Sequence, residues 1–280
     1  MSGKRQSLTY CAAAMALLAM IPAASKPPAR EPSASAIEFQ VNSFDLDGIG
    51  WLSEQAGEDG VDMNVNGLCA IDKDVAYLFG GVGVAAGTLR SFMLQTADGG
   101  KTWHEVMPPV LGSELTNVAF SDRQHGWAWA MWAVEGAFNA GLFSSRDGGK
   151  TWRRLYENLP EGYLLSMAFT SALNGEIVLM LQGESTSADD TRMEIETRAT
   201  HDGGVTWSRA RRETGVQSPL DAPEARDDHC PDRTNWELVT PAAGESIITV
   251  RRFDRGQKHW RVTTLPRHFQ YRRGRVVSSP

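Results

Sequence analysis

The stretch TADGGKTW at residues 96–103 is written again as SRDGGKTW at residues 145–152 and as THDGGVTW at residues 200–207. Each copy keeps a hydroxyl residue, an aspartate two positions later, a pair of glycines, a threonine and a closing tryptophan. Self-similarity of this kind is the sequence signature of a repeat architecture. The motif therefore predicts a chain built from copies of one structural unit.

The sequence between the motif copies repeats too. Residues 66–71 match residues 115–120, and residues 93–94 match residues 142–143, at an offset of 49 positions. Each unit contains three short strand patterns before the motif and one after it, and long helical patterns are missing. Four short strands in a unit of about 40 to 50 residues, repeated around a ring, are typical of a β-propeller. We therefore predict an all-β fold, a β-propeller of four-stranded blades.

Two of the predicted strands have a distinctive pattern. Residues 177–181 (IVLML) are apolar throughout, as expected of a strand covered on both faces. Residues 191–200 (TRMEIETRAT) alternate apolar or small side chains with charged ones. This alternation predicts a half-buried strand with Glu194 and Glu196 on its polar face.

The motif itself has the chemistry of a tight turn between the third and fourth strands of a blade. A glycine pair tolerates positive φ, which lets the chain reverse without Cβ clashes. The aspartate and the preceding hydroxyl can bond nearby backbone N–H groups, and the tryptophan returns into the sheet. We predict this structural role for Thr96, Asp98, Gly100, Thr102 and Trp103, for Ser145, Asp147, Gly149, Thr151 and Trp152, and for Thr200, Asp202, Gly204, Thr206 and Trp207.

The motif resembles the Asp-box, or bacterial neuraminidase repeat, whose pattern is Ser/Thr-x-Asp-x-Gly-x-Thr-Trp. The text NVAFSDRQHGWAWA followed by SSRDGGKTW, residues 117–152, resembles the repeat of the photosystem II assembly and stability factor-like propellers. Those proteins pair an F-x-D-x-x-x-G-W turn with an Asp-box, a combination that this chain shows in full only once, from Phe120 to Trp127. The resemblance covers residues 66–210 and implies a structural box on the outer turns of the blades, away from the central site.

The remaining sequence sets the expected boundaries within the 280 residues. Residues 1–25 carry Lys4 and Arg5, an apolar run and small residues, the order of a secretory signal peptide. The Pro- and Ser-rich residues 26–36 are expected to form a flexible linker, residues 37–270 a propeller of about five blades with six as the alternative, and residues 271–280 a basic tail. We expect export to the periplasm or beyond. No later run reaches the roughly 20 apolar residues of a membrane span, so stable membrane insertion is not expected.

Charge is distributed unevenly along the chain. Removal of residues 1–25 changes the formal net charge from −6 to −8, because this segment holds two cations and no acid. Residues 251–275, by contrast, hold nine Lys or Arg residues against Asp254 alone. This basic end could engage an acidic partner or form a solvated strand and tail. An exported, net-acidic protein is not expected to bind nucleic acid.

Cys69 and Cys230 remain after signal cleavage, in a compartment where disulfides persist. One bridge is the simplest prediction, and two unpaired thiols are the alternative. His229 beside Cys230 resembles a metal cluster only loosely, and ligands at zinc spacing are missing from the sequence. We therefore predict a disulfide-tied acidic loop and neither a metal nor a cofactor.

The sequence singles out no catalytic residue. Sialidases, which also carry Asp-boxes, need a tyrosine nucleophile and several other groups, but their Phe/Tyr-Arg-Ile-Pro signature is absent here. The acids Glu135, Glu184 and Asp190 have no spacing that selects a catalytic pair. The row Trp127, Trp129 and Trp132 could stack on sugars or pack between blades. Packing is the preferred interpretation.

Two hypotheses follow. The first is an exported, non-catalytic propeller that binds a protein partner as an assembly factor, scaffold or inhibitor; the alternative is a carbohydrate-active hydrolase or lectin-like module.

A plausible first strand, WELVT, begins at Trp236, about a dozen residues later than the repeat predicts. Residues 183–192 and 218–233 are therefore interpreted as inserted loops, either functional or tolerated. Their candidate partner-binding residues are Asp189, Asp190, Asp227, Asp228 and Asp232.

Overall fold

Every element of the described chain is a β-strand. The computed structural model describes residues 61–85, 87–134, 137–155, 162–182, 193–216, 230–232, 235–239, 247–272 and 275–278. These segments contain no helix, so the described chain has no helix that could cross a membrane. The predicted signal peptide and linker, and Asp189, Asp190, Asp227 and Asp228, lie outside the described residues.

The strands form four antiparallel sheets within the described segments. The first sheet contains β1 (Val61–Ala70), β2 (Ala76–Val84), β3 (Gly87–Thr96) and β4 (His104–Glu105); the second contains β5 (Ser113–Phe120), β6 (Gly126–Val134), β7 (Ala137–Ser145) and β8 (Arg153–Leu155). The third contains β9 (Tyr163–Phe169), β10 (Gly175–Gln182), β11 (Met193–Thr200) and β12 (Ser208–Val216); the fourth contains β13 (Trp236–Val239), β14 (Ile247–Asp254) and β15 (His259–Pro266). The C-terminal strands β16 (His268–Arg272) and β17 (Arg275–Ser278) extend the first sheet on the free edge of β1. The predicted all-β class is confirmed, and the second and third sheets have the predicted four antiparallel strands.

The sheets pack face to face through three apolar cores. Tyr77 and Phe120 stack with ring centroids 4.3 Å apart between the first and second sheets. Trp127 and Phe169 stack between the second and third sheets, and Trp103 meets Trp236 edge to face between the first and fourth. The sheets therefore follow one another in the order fourth, first, second, third.

The fourth sheet runs in an unexpected direction. Trp236 begins β13, yet its indole Nε1 donates to the carbonyl of Asp72, in the turn that follows β1, at 2.8 Å. Thr263 in β15 donates to the carbonyl of Gly100, in the turn that follows β3, at 2.5 Å. β13 therefore starts at the end of the molecule where β1, β5 and β9, the first strands of the other sheets, end. This is the direction of a second strand. The prediction that WELVT is a first strand is wrong, because apolar content identifies a strand but not its direction.

Because β13 has the direction of a second strand, the insertion before it is shorter than the sequence predicts. The second strands β6 and β10 start at Gly126 and Gly175, each 23 residues after the tryptophan of the preceding motif. β13 starts 29 residues after Trp207. The excess is therefore six residues rather than about twelve.

Glu196 corrects the interpretation of β11. Its side chain is 0% exposed, although it belongs to the charged face of the alternating pattern. Glu196 lies opposite Leu179 in the ladder between β10 and β11 and shares the face that packs on the second sheet. Its carboxylate contacts the guanidinium groups of Arg198 and Arg209, which are 25% and 55% exposed. The buried charge is thus held by two arginines that reach solvent.

We expect Glu196→Ala to lower the free energy of unfolding by about 2 kcal/mol. Removing one partner of a buried ion pair is costly, and the partial exposure of both arginines reduces the figure. Glu213→Ala is the matched control, because Glu213 is 40% exposed and pairs with Arg211 on the surface. Urea denaturation of both variants checks this, and equal losses would contradict the buried role of Glu196.

The predicted disulfide is confirmed. Cys69 in β1 is bonded to Cys230, with the two Cα atoms 5.3 Å apart across a sequence separation of 161 residues. Two residues further on, the N–H of Asp232 donates to the carbonyl of Ala70 at 2.9 Å. The disulfide and the backbone hydrogen bond together hold residues 230–232 against the C-terminal end of β1.

Replacing both Cys69 and Cys230 by alanine is expected to lower the free energy of unfolding by roughly 4 to 5 kcal/mol. The chain-entropy model gives this range because the bond closes so long a loop. Chemical denaturation with and without reductant measures it, and the double variant, unlike the parent protein, should not respond to the reductant. A double variant as stable as the oxidised protein would contradict the expectation.

Candidate functional site

The turn from Ser145 to Trp152 is closed by a compact set of hydrogen bonds. Asp147 Oδ1 accepts from the N–H of Thr151 at 2.9 Å, and Oδ2 accepts from the Thr151 hydroxyl at 2.7 Å. The Ser145 hydroxyl donates to Asp147 Oδ1 at 2.9 Å and accepts from the N–H of Gly149 at 2.8 Å. Both carboxylate oxygens are therefore occupied within the turn.

The other two copies of the motif have the same bonds. Asp98 accepts from the Thr102 N–H and hydroxyl at 3.0 and 2.7 Å, and Asp202 accepts from those of Thr206 at 2.9 and 2.6 Å. The two glycines of each turn have φ between 71° and 92°, the left-handed region that glycine adopts without steric cost. All three turns lie between the third and fourth strands of their sheets. The shared residues of the motif therefore close the turn.

The motif turn is also hydrogen-bonded to the turn between the first and second strands of its own sheet. The N–H groups of Gly99, Gly148 and Gly203 donate to carbonyls of that neighbouring turn, at 2.8 to 2.9 Å. The side chains of Asp72, Asp122 and Ser171 cap this second turn by accepting from backbone N–H groups two and three residues further on. The sequence motif identified only the turn of Asp122. The common spacing from the strand ends would have found the other two.

The same glycines connect neighbouring sheets. The Tyr77 hydroxyl in the first sheet donates to the carbonyl of Gly148 in the second at 2.8 Å. Trp127 Nε1 in the second sheet donates to the carbonyl of Gly203 in the third, also at 2.8 Å. Burial raises the pKa of Tyr77 to about 12, so its hydroxyl stays protonated and can donate. Each turn is thus bonded both within its sheet and to the preceding sheet.

Ser145→Ala is expected to lower the free energy of unfolding by about 1 to 2 kcal/mol. The change leaves the buried N–H of Gly149 without its acceptor and removes a donor to Asp147. Ser145→Thr is the matched control, because Thr96 and Thr200 occupy this position in the other turns. Thermal unfolding of both variants checks it. A serine-to-threonine change as damaging as the alanine change would contradict the hydrogen-bond account.

The three aspartates of the motif turns should also make the free energy of unfolding depend on pH in the acid range. The hydroxyl and N–H of Thr151 lower the pKa of Asp147 to about 2. Burial acts the other way on Asp98 and Asp202, but the bonds from Thr102 and Thr206 outweigh it and lower each pKa. A carboxyl group with a depressed folded-state pKa contributes stability above its unfolded pKa of about 4 and loses it as the pH falls further.

We therefore expect the stability of the protein to fall between about pH 4 and pH 2. Asp147→Asn should have a shallower fall in this window and a lower stability at neutral pH. Denaturant unfolding at several pH values measures both slopes. Identical slopes for variant and parent would contradict the assignment of this acid transition to the turn.

A second group of polar residues occupies the first strands, toward the ends away from these turns. We call it the inner row: Asp62, Asn64 and Asn66 on β1, Glu114 on β5 and Tyr163 on β9. The strands that carry it lie side by side, since β5 contacts both β1 and β9. On β1, Val61 and Met63 point into the core while Asp62 and Asn64 are exposed. Sequence reasoning missed the inner row because its members belong to no motif.

Glu114 lies at the centre of the inner row. Asn66 Nδ2 donates to Glu114 Oε2 at 3.2 Å and to the carbonyl of Leu115 at 2.9 Å, which joins β1 to β5. Burial, together with the negative charge of Glu114, raises the pKa of Tyr163. Tyr163 is nevertheless 43% exposed, so its ring and hydroxyl are accessible to a ligand.

The C-terminal segment adds basic groups to the inner row. His268 Nδ1 lies 2.9 Å from Asp62 Oδ1, and Arg267 reaches Asn64 at 3.5 Å. The backbone fixes this placement, because the N–H of Met63 donates to the carbonyl of Arg267 at 2.7 Å. The inner row therefore presents acidic, basic, amide and phenol groups on one continuous surface.

The candidate binding residues named from the sequence are mostly buried or engaged in local contacts where the structure describes them. Asp232 is half-buried, and both its carboxylate oxygens accept from Asn235 Nδ2, at 2.9 and 2.7 Å. Trp127 and Trp129 are 2% and 0% exposed, so packing between sheets is their role and sugar stacking is not. Trp132 is half-buried, with the guanidinium of Arg154 above its ring at 5.0 Å. Glu135, Glu184 and Asp190 lie outside the described residues.

Metal chemistry finds no support in the described part of the chain. No group of three or more His, Cys, Asp or Glu side chains there is arranged to hold a metal ion. The carboxylates of the inner row, Asp62 and Glu114, instead contact His268 and Asn66.

Comparisons with known proteins leave the family open. No protein-family model matches the chain, and no curated protein sequence does. The solved structures that resemble it include a GH74 xyloglucanase from Xanthomonas campestris, with 13% identity, a TM-score of 0.33 and coverage of 69% of this chain and 28% of that one. A GH74 enzyme from Niastella koreensis has 13% identity, a TM-score of 0.29 and coverage of 71% and 30%. The chain thus spans less than a third of either protein, and neither likeness bears on its activity.

Proposed function

We propose that this protein is an exported, non-catalytic β-propeller of about five blades that binds a protein partner. The stacking of successive antiparallel sheets, with first strands side by side, supports a propeller in which those strands surround a central axis. The repeated Asp-box turns, which resemble those of photosystem II assembly and stability factor-like propellers, support the same arrangement. The disulfide supports export, because such bonds persist in oxidising compartments.

The inner row is the observation that carries the partner-binding proposal. It combines an exposed tyrosine with charges of both signs across neighbouring sheets, and tyrosine is enriched at protein interfaces because it offers an apolar ring and a polar tip. Its acids are engaged in local contacts with Asn66 and His268.

Affinity capture from an envelope fraction, followed by mass spectrometry, tests this proposal. Tyr163→Ala and Glu114→Gln change the inner row, and we expect both to reduce recovery of the partner by at least about tenfold, a loss of roughly 1.4 kcal/mol. Glu176→Gln is the matched control, because Glu176 is exposed in β10 at the opposite end of its sheet. Capture that is equal for all variants would contradict a role for the inner row.

The acidic loops provide a second possible surface in the same proposal. Deletion of residues 221–228 removes Asp227 and Asp228 while keeping Cys230 and its disulfide. Loss of capture by this folded variant, with normal capture by Glu114→Gln, would move the binding surface to the loop. Binding or hydrolysis of an oligosaccharide by the purified protein, without any captured protein, would favour the carbohydrate-active alternative instead.

A further inference from the structure

A crevice opens between the second and third sheets at the end that carries the Asp-box turns. His125, Trp127, Ser144, Arg146, Arg153 and Asp202 are among its lining residues. The space inside it is about 10 Å³, roughly what one water molecule needs. The crevice can therefore take one oxygen atom of a larger group whose other atoms lie in solvent.

The repeat explains why the crevice is open. Ser144 precedes the motif of the second sheet, and Gln95 holds the equivalent position in the first sheet. Gln95 fills the corresponding gap by donating to the Tyr77 hydroxyl at 2.7 Å and to the carbonyl of Gly148 at 3.1 Å. The side chain of Ser144 is two heavy atoms shorter than that bridge requires, and Trp127 alone bonds the carbonyl of Gly203. The space that Gln95 fills in one copy is therefore free in the next.

The rim of the crevice carries two arginines that the repeat does not require. Arg146 and Arg153 occupy positions equivalent to Ala97 and His104 in the first sheet. Both are exposed, and neither has an ion-pair partner within 4.0 Å among the described residues. Structural repeats need only their shared residues, so a paired departure at one crevice points to a local role.

The other charges at the crevice are already satisfied. Asp202 lines it, but both its oxygens accept bonds from Thr200 and Thr206. The ring of His125 is held by Asp122 at 2.8 Å. Among the described lining residues, the two arginines outnumber the one carboxylate of Asp202, so the crevice has a net positive charge, with the Ser144 hydroxyl between the sheets as a further donor or acceptor.

We propose that this crevice binds an anionic oxygen group, a carboxylate or a phosphate, through Arg146, Arg153 and Ser144. Guanidinium groups bind both anions through paired, charge-assisted hydrogen bonds. The inference is independent of the inner row and of the identity of any protein partner. A free phosphate and the carboxylate of a larger ligand present the same chemistry to the arginines.

Titration of the purified full chain with inorganic phosphate and, separately, with succinate tests the proposal. The indole N–H of Trp127 provides the NMR signal, because this group lies in the crevice. We expect saturable shifts of this signal with at least one of the two probes. Phosphate alone would identify a phosphate site, and succinate alone a carboxylate site.

Two variants separate a built site from general attraction to charge. The double change Arg146→Ala with Arg153→Ala is expected to weaken binding by at least about tenfold, since each charge-assisted bond contributes more than a neutral one. Lys101→Ala with Lys258→Ala is the matched control, because it removes the same charge from exposed positions in the first and fourth sheets. It should leave the affinity unchanged.

Ser144→Gln tests the crevice without removing charge. The glutamine should fill the gap as Gln95 does, which would abolish binding while the thermal stability is kept or raised. Absence of saturable binding of both probes to the parent protein would overturn the proposal. Equal binding by the parent and by the double arginine variant would also overturn it.

Discussion

The carbonyl of one glycine in each Asp-Gly-Gly turn accepts a hydrogen bond from a neighbouring sheet. Gly148 and Gly203 can accept bonds from Tyr77 and Trp127 only because positive φ orients their peptide groups and because the aspartate of the turn fixes the rest of the loop. Each of these donors also stacks on an aromatic ring of the following sheet. Polar and apolar contacts between sheets thus depend on the same short turn, and the geometry of every later sheet follows from it.

Local chemistry made this part of the fold predictable. A short motif with aspartate, two glycines and tryptophan specifies its own turn, so its position between the third and fourth strands could be anticipated from sequence. The pairing of Cys69 with Cys230 could be anticipated too, because these are the two cysteines outside the predicted signal peptide and allow only one intramolecular bridge. Both inferences need few residues and no knowledge of what lies across the sheet.

Long-range geometry made other features unpredictable. Alternation along β11 shows that two faces exist but not which face meets the second sheet, so the burial of Glu196 was missed. The direction of β13 depends on contacts of Trp236 with a turn more than 160 residues earlier in the chain. The crevice depends on the difference between Ser144 and Gln95, which has meaning only when the repeats are compared in space.

The position of β16 beside β1 has a consequence for the order in which the protein can fold. The first sheet receives its last described strands from residues 268–278, although β1 begins at Val61. Strands β1 to β4 can pair with one another once residues 61–105 are available, but among the described strands the other edge of β1 is paired only when residues 268–272 join it. Such non-local closure slows folding and leaves intermediates with an unpaired strand edge.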